Sequence, residues 1–265
     1  MQLATPLSSR ADAPLASLNP LARIGAAAIL MAFCFAALDA VTAGIVLAAV
    51  AVATPLTGIR PAAFLQRTWP ILLAALLIAG VNALFGVPRG GVALAIGPVA
   101  VHGGNLVSGA SLGIRILAIA LAGVLALATT DPTELADALV QQLHVPPRFA
   151  LGTLAAVRLM PLLAQEWQLV RLARRARGVT AGSPAGWLRL QAGRLMTLLV
   201  GAIRRATRLA TAMEARGLGA RGCRTAARPR AMDRRDAAVL LGALLVGGGA
   251  TSLSLLLGTY RPLFG

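Results

Sequence analysis

Residues Ala237–Leu257 read Ala-Ala-Val-Leu-Leu-Gly-Ala-Leu-Leu-Val-Gly-Gly-Gly-Ala-Thr-Ser-Leu-Ser-Leu-Leu-Leu, 21 positions without a charge. A helix of that length, rising ~1.5 Å per residue, crosses the ~30 Å hydrocarbon layer of a bilayer. Four stretches upstream have the same character: Ala22–Leu38, Val41–Leu56, Pro70–Val87 and Gly109–Ala128. The first two are short and split only by Asp39. Together they exceed one crossing, so they predict a tight helical hairpin rather than one tilted helix. A cleaved signal peptide fits poorly, because the region before Ala22 is long and proline-bearing and further spans follow at once. Composition agrees: 57% of the 265 residues are hydrophobic, 13% are charged and the mean hydropathy is +0.77. That is too apolar for a water-soluble surface. The fold class expected is all-α, a polytopic membrane protein of about five transmembrane helices.

The net charge is +16, from 25 basic and 9 acidic residues, and every basic residue is arginine. Without lysine there is no phosphate-binding P-loop amine, no pyridoxal Schiff base and no Ser-Lys dyad. ATP-driven work then falls to another chain. Cys34, in an apolar run, and Cys223, in an arginine-rich one, lack the spacing of a disulfide framework or zinc site and read as free thiols.

Arginine placement sets the orientation, because basic loops stay in the cytoplasm. With the N-terminus inside, 22 of the 25 arginines are cytoplasmic, 18 of them between Arg148 and Arg235. The expected organisation is an N-terminal cytoplasmic segment (1–21), transmembrane helices 1–4 (22–129), a cytoplasmic helical domain (130–236), and helix 5 with an external C-terminus (237–265). Between the third and fourth spans, Val92–His102 alternates around Gly97-Pro98 as an external hairpin would.

The cytoplasmic domain opens with Asp131-Pro132-Thr133-Glu134, an N-cap, a proline at the first helical position and an acid in the first turn. Leu135, Leu139 and Leu143 follow at four-residue spacing. The next helix runs from about Arg148 to Arg177, with Pro161 as an expected kink and an apolar stripe of Leu151, Leu154, Leu162, Trp167 and Val170. After a break at Gly182–Gly186, a third helix extends from Trp187 to Arg216. There Leu188, Leu195, Leu199, Ile203 and Leu209 alternate with Arg189, Arg194, Arg204, Arg205 and Arg208. From Arg148 to Arg235 the net charge is +15, a field that attracts anionic lipid headgroups or an acidic partner.

Both long helices end in the same tripeptide, Ala176-Arg177-Gly178 and Ala215-Arg216-Gly217, their arginines 39 positions apart. Glycine past a helix end and a cation in the last turn are ordinary capping chemistry. Two copies, each offering a planar guanidinium at a helix tip, also suit bidentate docking onto a carboxylate of another protein.

On these residues the chain resembles the transmembrane (T) component of energy-coupling factor transporters, the EcfT/CbiQ family of ABC-type importers. The resemblance runs through Leu18-Asn19-Pro20-Leu21-Ala22-Arg23, Gly97–Arg115, Asp131–Leu143, Pro146-Pro147, Arg158–Glu166, the first Ala-Arg-Gly, and Thr211–Leu218. Position 23 is arginine where the family usually has lysine. The resemblance implies a cytoplasmic amphipathic coupling-helix domain and a non-catalytic subunit with no bound cofactor, metal or catalytic residue. Two partner ABC ATPases hydrolyse ATP, and a small membrane substrate-binding (S) subunit carries a vitamin or a transition-metal ion such as cobalt or nickel. Ala176, Arg177, Gly178, Ala215, Arg216 and Gly217 become the ATPase-docking residues. The location implied is a prokaryotic cell membrane. The basic tail at 221–235 is heavier than the family pattern.

Other signals point elsewhere only weakly. Gly217-Leu-Gly-Ala-Arg-Gly222 matches a dinucleotide fingerprint but follows no strand. His102 and His144 fall on opposite predicted faces of the membrane, as a loop and a helix-end residue. Arg115, placed about two turns inside the fourth span, is expected to snorkel or pack within the protein. Gly242 and Gly247–Gly249 are expected to allow close helix packing. An intramembrane hydrolase using Ser108 or Ser111 with His102 lacks a Gly-x-Ser-x-Gly elbow. A membrane-tethered binder of anionic lipid or nucleic acid has the charge but few aromatics to stack bases, so no nucleic-acid partner is expected.

Overall fold

A computed structural model describes residues 18–59, 61–86, 91–96, 99–179, 182–218 and 231–260. Among these are eight helices and one hairpin: α1 (Pro20–Ala36), α2 (Ala40–Leu56), α3 (Pro61–Phe85), β1 (Val92–Ile96), β2 (Val99–His102), α4 (Gly103–Ala128), α5 (Pro132–Gln142), α6 (Pro147–Ala176), α7 (Pro184–Ala215) and α8 (Arg234–Leu256). The Gly97-Pro98 turn, Cys223, the end of the dinucleotide-like motif (219–222) and the basic tail up to residue 230 lie outside the described residues. Two compact units form, one from residues 18–135 and 231–260, the other from 136–218.

The fold is all-α and polytopic. The expected α1/α2 hairpin is present, and Asp39 is the cap that makes it: its buried Oδ2 accepts from Thr42 N at 2.7 Å and starts α2. Three of the spans begin three or more residues before their expected starts. α3 begins at Pro61 rather than Pro70, because Thr68 turns its hydroxyl back to Phe64 O at 2.9 Å and is satisfied inside the helix. α4 begins at Gly103 rather than Gly109, with Ser108 bonded likewise to Gly104 O. α8 begins at Arg234 through a capping box of Asp233 and Asp236. β1 and β2 pair antiparallel, Ile96 opposite Val99, as the alternation predicts.

Four described helices are long and apolar enough to cross a membrane. Those within α3, α4 and α8 have mean hydropathies of 2.0, 2.2 and 1.9, whereas α6 reaches only 1.2. α1 and α2 are apolar helices of 17 residues, the short end of the crossing range. α6 carries Arg158 and Glu166 in its middle and three arginines in its last six positions, so it is not read as a span.

In the first unit, α4 packs against α1, α2 and α3, and α8 against α1 and α2. Cys34, Val46, Val50, Ala118 and Ala122 form the centre of the core. Small residues permit the α3–α4 approach: a Cβ on Gly109 would stand 2.5 Å from Ala79 O, and one on Gly113 2.9 Å from Ala79 Cβ. On α8 only part of the glycine expectation holds. Gly247 lies against the Phe33 ring, but Gly242, Gly248 and Gly249 face open space. Of the two expectations for Arg115, packing within the protein holds and snorkelling does not. With α4 starting at Gly103 it sits 12 residues in, too deep to snorkel, and is 9% exposed. Its Nη2 donates to Phe35 O at 3.3 Å and its guanidinium lies 5.7 Å from the Phe35 ring centroid.

The start of α1, the end of α4 and the start of α8 meet at one end of this unit. Asn19 caps α1 by accepting from Leu21 N, and its own N–H donates to Asp236 Oδ1 at 2.8 Å. Asp236 Oδ2 accepts from Asp233 N at 2.9 Å. Arg23 donates through Nη2 to Leu18 O at 2.9 Å and through Nη1 to Thr129 O at the close of α4, with Glu134 3.8 Å away. Asn19, Arg23 and Asp236 are all buried. Arg23, at the start of the first expected span, thus ties the start of α1 to the end of α4, as Asp236 ties it to the start of α8.

Two stability predictions follow from this packing. Gly109→Ala overpacks the α3–α4 contact and costs about 1–3 kcal/mol, whereas Gly80→Ala, with nothing within 4 Å, leaves the melting temperature in detergent unchanged. Asp236→Ala removes the acceptor of Asn19 N and half of the capping box, and lowers stability by about 1–3 kcal/mol in the same assay. Equal melting of glycine variants 109 and 80, or an unshifted Asp236→Ala, contradicts these contacts.

Candidate functional site: two arginine-tipped helices

The second unit is dominated by α6 and α7. Pro147, with its fixed φ and no N–H, opens α6, and the helix continues through Pro161. Its half-buried side is Leu151, Leu154, Leu159, Leu163, Trp167 and Val170, so the stripe passes through Leu159 and Leu163, and Leu162 is exposed. α7 starts three residues before Trp187, because Ser183 caps it by accepting from Gly186 N at 3.1 Å and Pro184 takes the first position. The break expected at Gly182–Gly186 therefore shrinks to the residues before Pro184.

Most of the apolar side expected on α7 is exposed, and only Leu209 borders a groove shared with α6. Leu188, Leu195, Leu199, Ile203 and Leu209 are 37–65% exposed. What faces inward on α7 is smaller and more polar: Leu190, Gly193, Leu198, Gly201, Ala202 and Arg205 are half-buried and Arg194 is buried. Alternation of leucine with arginine showed that α7 is two-sided but not which side its neighbour takes.

Arginines join the two helices. Arg205 forms a bidentate pair with Glu166, Nη1 to Oε1 and Nη2 to Oε2. Those hydrogen bonds hold the Glu166 carboxyl below the usual carboxylate range and push the Arg205 guanidinium up. Eight residues along α6, Arg174 donates to Leu190 O at 3.2 Å and to Gly193 O at 2.8 Å. Gly193 makes room for it, since a Cβ there would lie 3.0 Å from Arg174 Nη1. Sequence reading placed Arg205 on the basic side of α7 and Glu166 at the end of the Arg158–Glu166 stretch, without pairing them. The signal available was their 39-residue separation, equal to that of the two Ala-Arg-Gly arginines.

The six motif residues fold identically in pairs. Ala176 and Ala215 are the last helical residues, and Arg177 (φ −84°, ψ 7°) and Arg216 (φ −86°, ψ 9°) are the C-caps. Gly178 (φ +69°) and Gly217 (φ +81°) take the left-handed conformation that side chains resist. Gly178 N donates to Arg175 O and Val179 N to Arg174 O, both at 3.0 Å. At the second end Gly217 N donates to Glu214 O at 2.9 Å and Leu218 N to Met213 O at 3.0 Å. These are two Schellman closures. Arg177 and Arg216 are exposed, and neither forms an ion pair among the described residues. Each tip thus offers a guanidinium on a rigid, fully hydrogen-bonded turn. Such a tip can engage a carboxylate but has no group for acid-base or nucleophilic chemistry.

Comparison with known proteins bears on this pattern. The profile of CbiQ, described as cobalt transport protein, matches residues 12–222. An energy-coupling factor transporter transmembrane protein EcfT of Heliobacterium modesticaldum is 32% identical over 246 residues, covering 86% of this chain and 88% of that protein. The protein of the same name from Bacillus selenitireducens is 30% identical over 189 residues, 68% of this chain and 70% of its own. A putative ABC transporter ATP-binding protein of Bifidobacterium longum is 28% identical over 167 residues, 60% of this chain but 21% of that protein.

Gly217→Val forces a β-branched side chain into the left-handed turn at a cost of about 1–2 kcal/mol, so amide exchange at residues 217 and 218 accelerates. Gly217→Asn, which tolerates that conformation, changes it far less. Equal exchange in both variants contradicts the closure.

Proposed function

The chain belongs to the EcfT/CbiQ family of transport proteins, as the transmembrane component of an energy-coupling factor transporter, and from that premise we propose that it is the coupling subunit of an ABC-type importer. It binds no cofactor and catalyses no reaction. Two partner ABC ATPases hydrolyse ATP, and their closure moves α6 and α7, which pass the motion to a small membrane subunit that binds the substrate. The observation that carries this is the pair of matching helix tips, Arg177 and Arg216, each exposed on a Schellman turn.

Supporting it, the chain has no lysine for a P-loop of its own. One relative named as an ABC transporter ATP-binding protein contains a segment similar to this chain within a much longer polypeptide. In the proposed orientation the N-terminus and the unit of α6 and α7 are cytoplasmic, where its arginines meet ATPase carboxylates at the tips and anionic headgroups elsewhere. The substrate, a vitamin or transition-metal ion, is recognised by the other membrane subunit. The chain is a multi-pass protein of a prokaryotic cell membrane.

Arg177→Glu combined with Arg216→Glu leaves the protein inserted and monodisperse in detergent. It places like charges at the docking site, each worth about 2–5 kcal/mol, so co-purifying ATPase falls more than a hundredfold. Arg189→Glu, on the exposed side of α7 away from the tips, retains it. Undiminished ATPase with the double variant sinks the proposal.

A further inference from the structure

At the end of the first unit where Arg23 ties α1 to α4, the helices enclose a pocket of about 110 Å³. Six alanines line it: Ala26 and Ala27 on α1, Ala49 and Ala53 on α2, Ala122 and Ala126 on α4. It runs from Arg23, Thr57 and Thr129, at the ends of these helices, to Leu30, Ala49 and Ala122, seven or eight positions along each. At 1.5 Å per residue that is a slot about 10–12 Å long, following the helices.

The slot has little for a polar ligand. The Thr57 and Thr129 hydroxyls donate to Thr54 O at 2.6 Å and to Leu125 O at 2.9 Å. The Arg23 guanidinium is engaged by Leu18 O, Thr129 O and Glu134. A water needs about two to four polar partners to occupy a cavity, and apolar cavities on the order of 150 Å³ stay dry and take up small hydrocarbons instead. The occupant that fits is therefore hydrocarbon.

The wall of the slot is buried but its mouth is not. Among its lining residues only Leu30, Ala49, Ala53 and Val239 of α8 are half-buried, so the slot opens sideways between α2 and α8. The hydrogen bond between those two helices, Thr42 Oγ1 to Ala250 O at 3.5 Å, lies toward their other ends. Arg235 precedes Val239 by four positions, which puts it on the same face of α8 one turn nearer the helix start, and it is exposed. Among the described residues neither Arg235 nor Arg234 forms an ion pair. Both stand in the first turn of α8, where the helix dipole disfavours a cation, while Asp236 spends both its oxygens on backbone amides. An anion at the mouth of the slot complements them.

We propose that this slot binds an acyl chain of an anionic phospholipid, whose phosphate is held at the mouth by Arg235. The chain enters between α2 and α8 and fills the space the alanines leave, and the guanidinium takes two phosphate oxygens in its planar fork. In the orientation proposed above, the lipid belongs to the cytoplasmic leaflet; the slot itself does not depend on that reading. The lipid completes the packing of the membrane unit.

The test uses the full chain purified in maltoside detergent and incubated with phosphatidylglycerol or with phosphatidylcholine of the same acyl chains. Bound lipid is counted by native mass spectrometry, with the melting temperature read alongside. The wild type retains one phosphatidylglycerol per chain and binds it about fivefold more tightly than phosphatidylcholine, the share of one arginine near an anionic headgroup. Ala53→Leu, at the half-buried mouth, fills the slot, so affinity for both lipids falls about tenfold or more and phosphatidylglycerol no longer raises the melting temperature. Ala49→Leu, one turn deeper, does the same and decides the matter if the first variant fails to fold. Arg235→Gln keeps phosphatidylcholine binding and loses the preference for phosphatidylglycerol. Inorganic phosphate at equal concentration leaves the melting temperature of the wild type unchanged. No lipid retained by the wild type, undiminished binding in the folded alanine variants, a preference that survives Arg235→Gln, or a phosphate effect as large as that of the lipid overturns the site. Lipid is counted without ATPases present, so this result and the tip-reversal result stand or fall separately.

Discussion

Arg23 is a buried cation at a place where three helix ends would otherwise leave backbone groups without partners. In a bilayer such groups have no water to turn to, and each unsatisfied one costs several kcal/mol. Its guanidinium takes the carbonyls of Leu18 and Thr129, which close the turn before α1 and the end of α4. A positive charge at the C-terminus of α4 also complements that helix dipole. At the same end of the unit Asp236 does the converse at the N-terminus of α8, taking the Asn19 and Asp233 amides on its two oxygens. The remaining apolar contacts of the unit, small residues against small residues, have modest directional content. These charged ties specify which ends lie together, and with them the order of α1, α4 and α8.

The unit of α6 and α7 is organised on the opposite plan. Its helices bury little against one another: a line of half-buried leucines on α6 meets a narrow strip of small and polar residues on α7. Cross-links by Arg174 and Arg205 hold them. Few apolar contacts and a few strong polar ones mean that the helices can change their angle without unpacking a core. The tips are the reverse, each closed by two backbone bonds around a left-handed glycine. Rigid ends on a pair of helices joined at a crossing suit a part that transmits displacement better than one that binds or transforms a small molecule.

Much of this was legible in the sequence, and the omissions have physical causes. Apolar length showed the spans, Asp39 marked the α1/α2 turn, and the Ala-Arg-Gly repeats located both tips. Span starts came late because the apolar runs begin at Pro70 and Gly109, past Thr68 and Ser108, whereas a hydroxyl can satisfy itself on its own helix and let the helix start earlier. Arg115 was placed too near the surface for the same reason. On α7 the leucine and arginine pattern showed an apolar and a basic side, but periodicity does not name the neighbour each side meets. Asp236 was invisible as a tie, since its partner Asn19 lies 217 residues away. The Glu166–Arg205 pair was hidden in a field of net +15, where three acids stand among 18 arginines and only the 39-residue separation shared with the two tips marks it.

The central claim is that this chain works only as one part of a larger machine, joining ATPases to a membrane partner through the tips of α6 and α7. Affinity capture of the wild-type protein from gently solubilised native membranes, with mass spectrometry of the stoichiometric components, tests that most directly. The account predicts P-loop ATPase subunits, two per chain, and one small hydrophobic membrane protein. Recovery of the chain alone, under conditions in which its fold is intact, would contradict it.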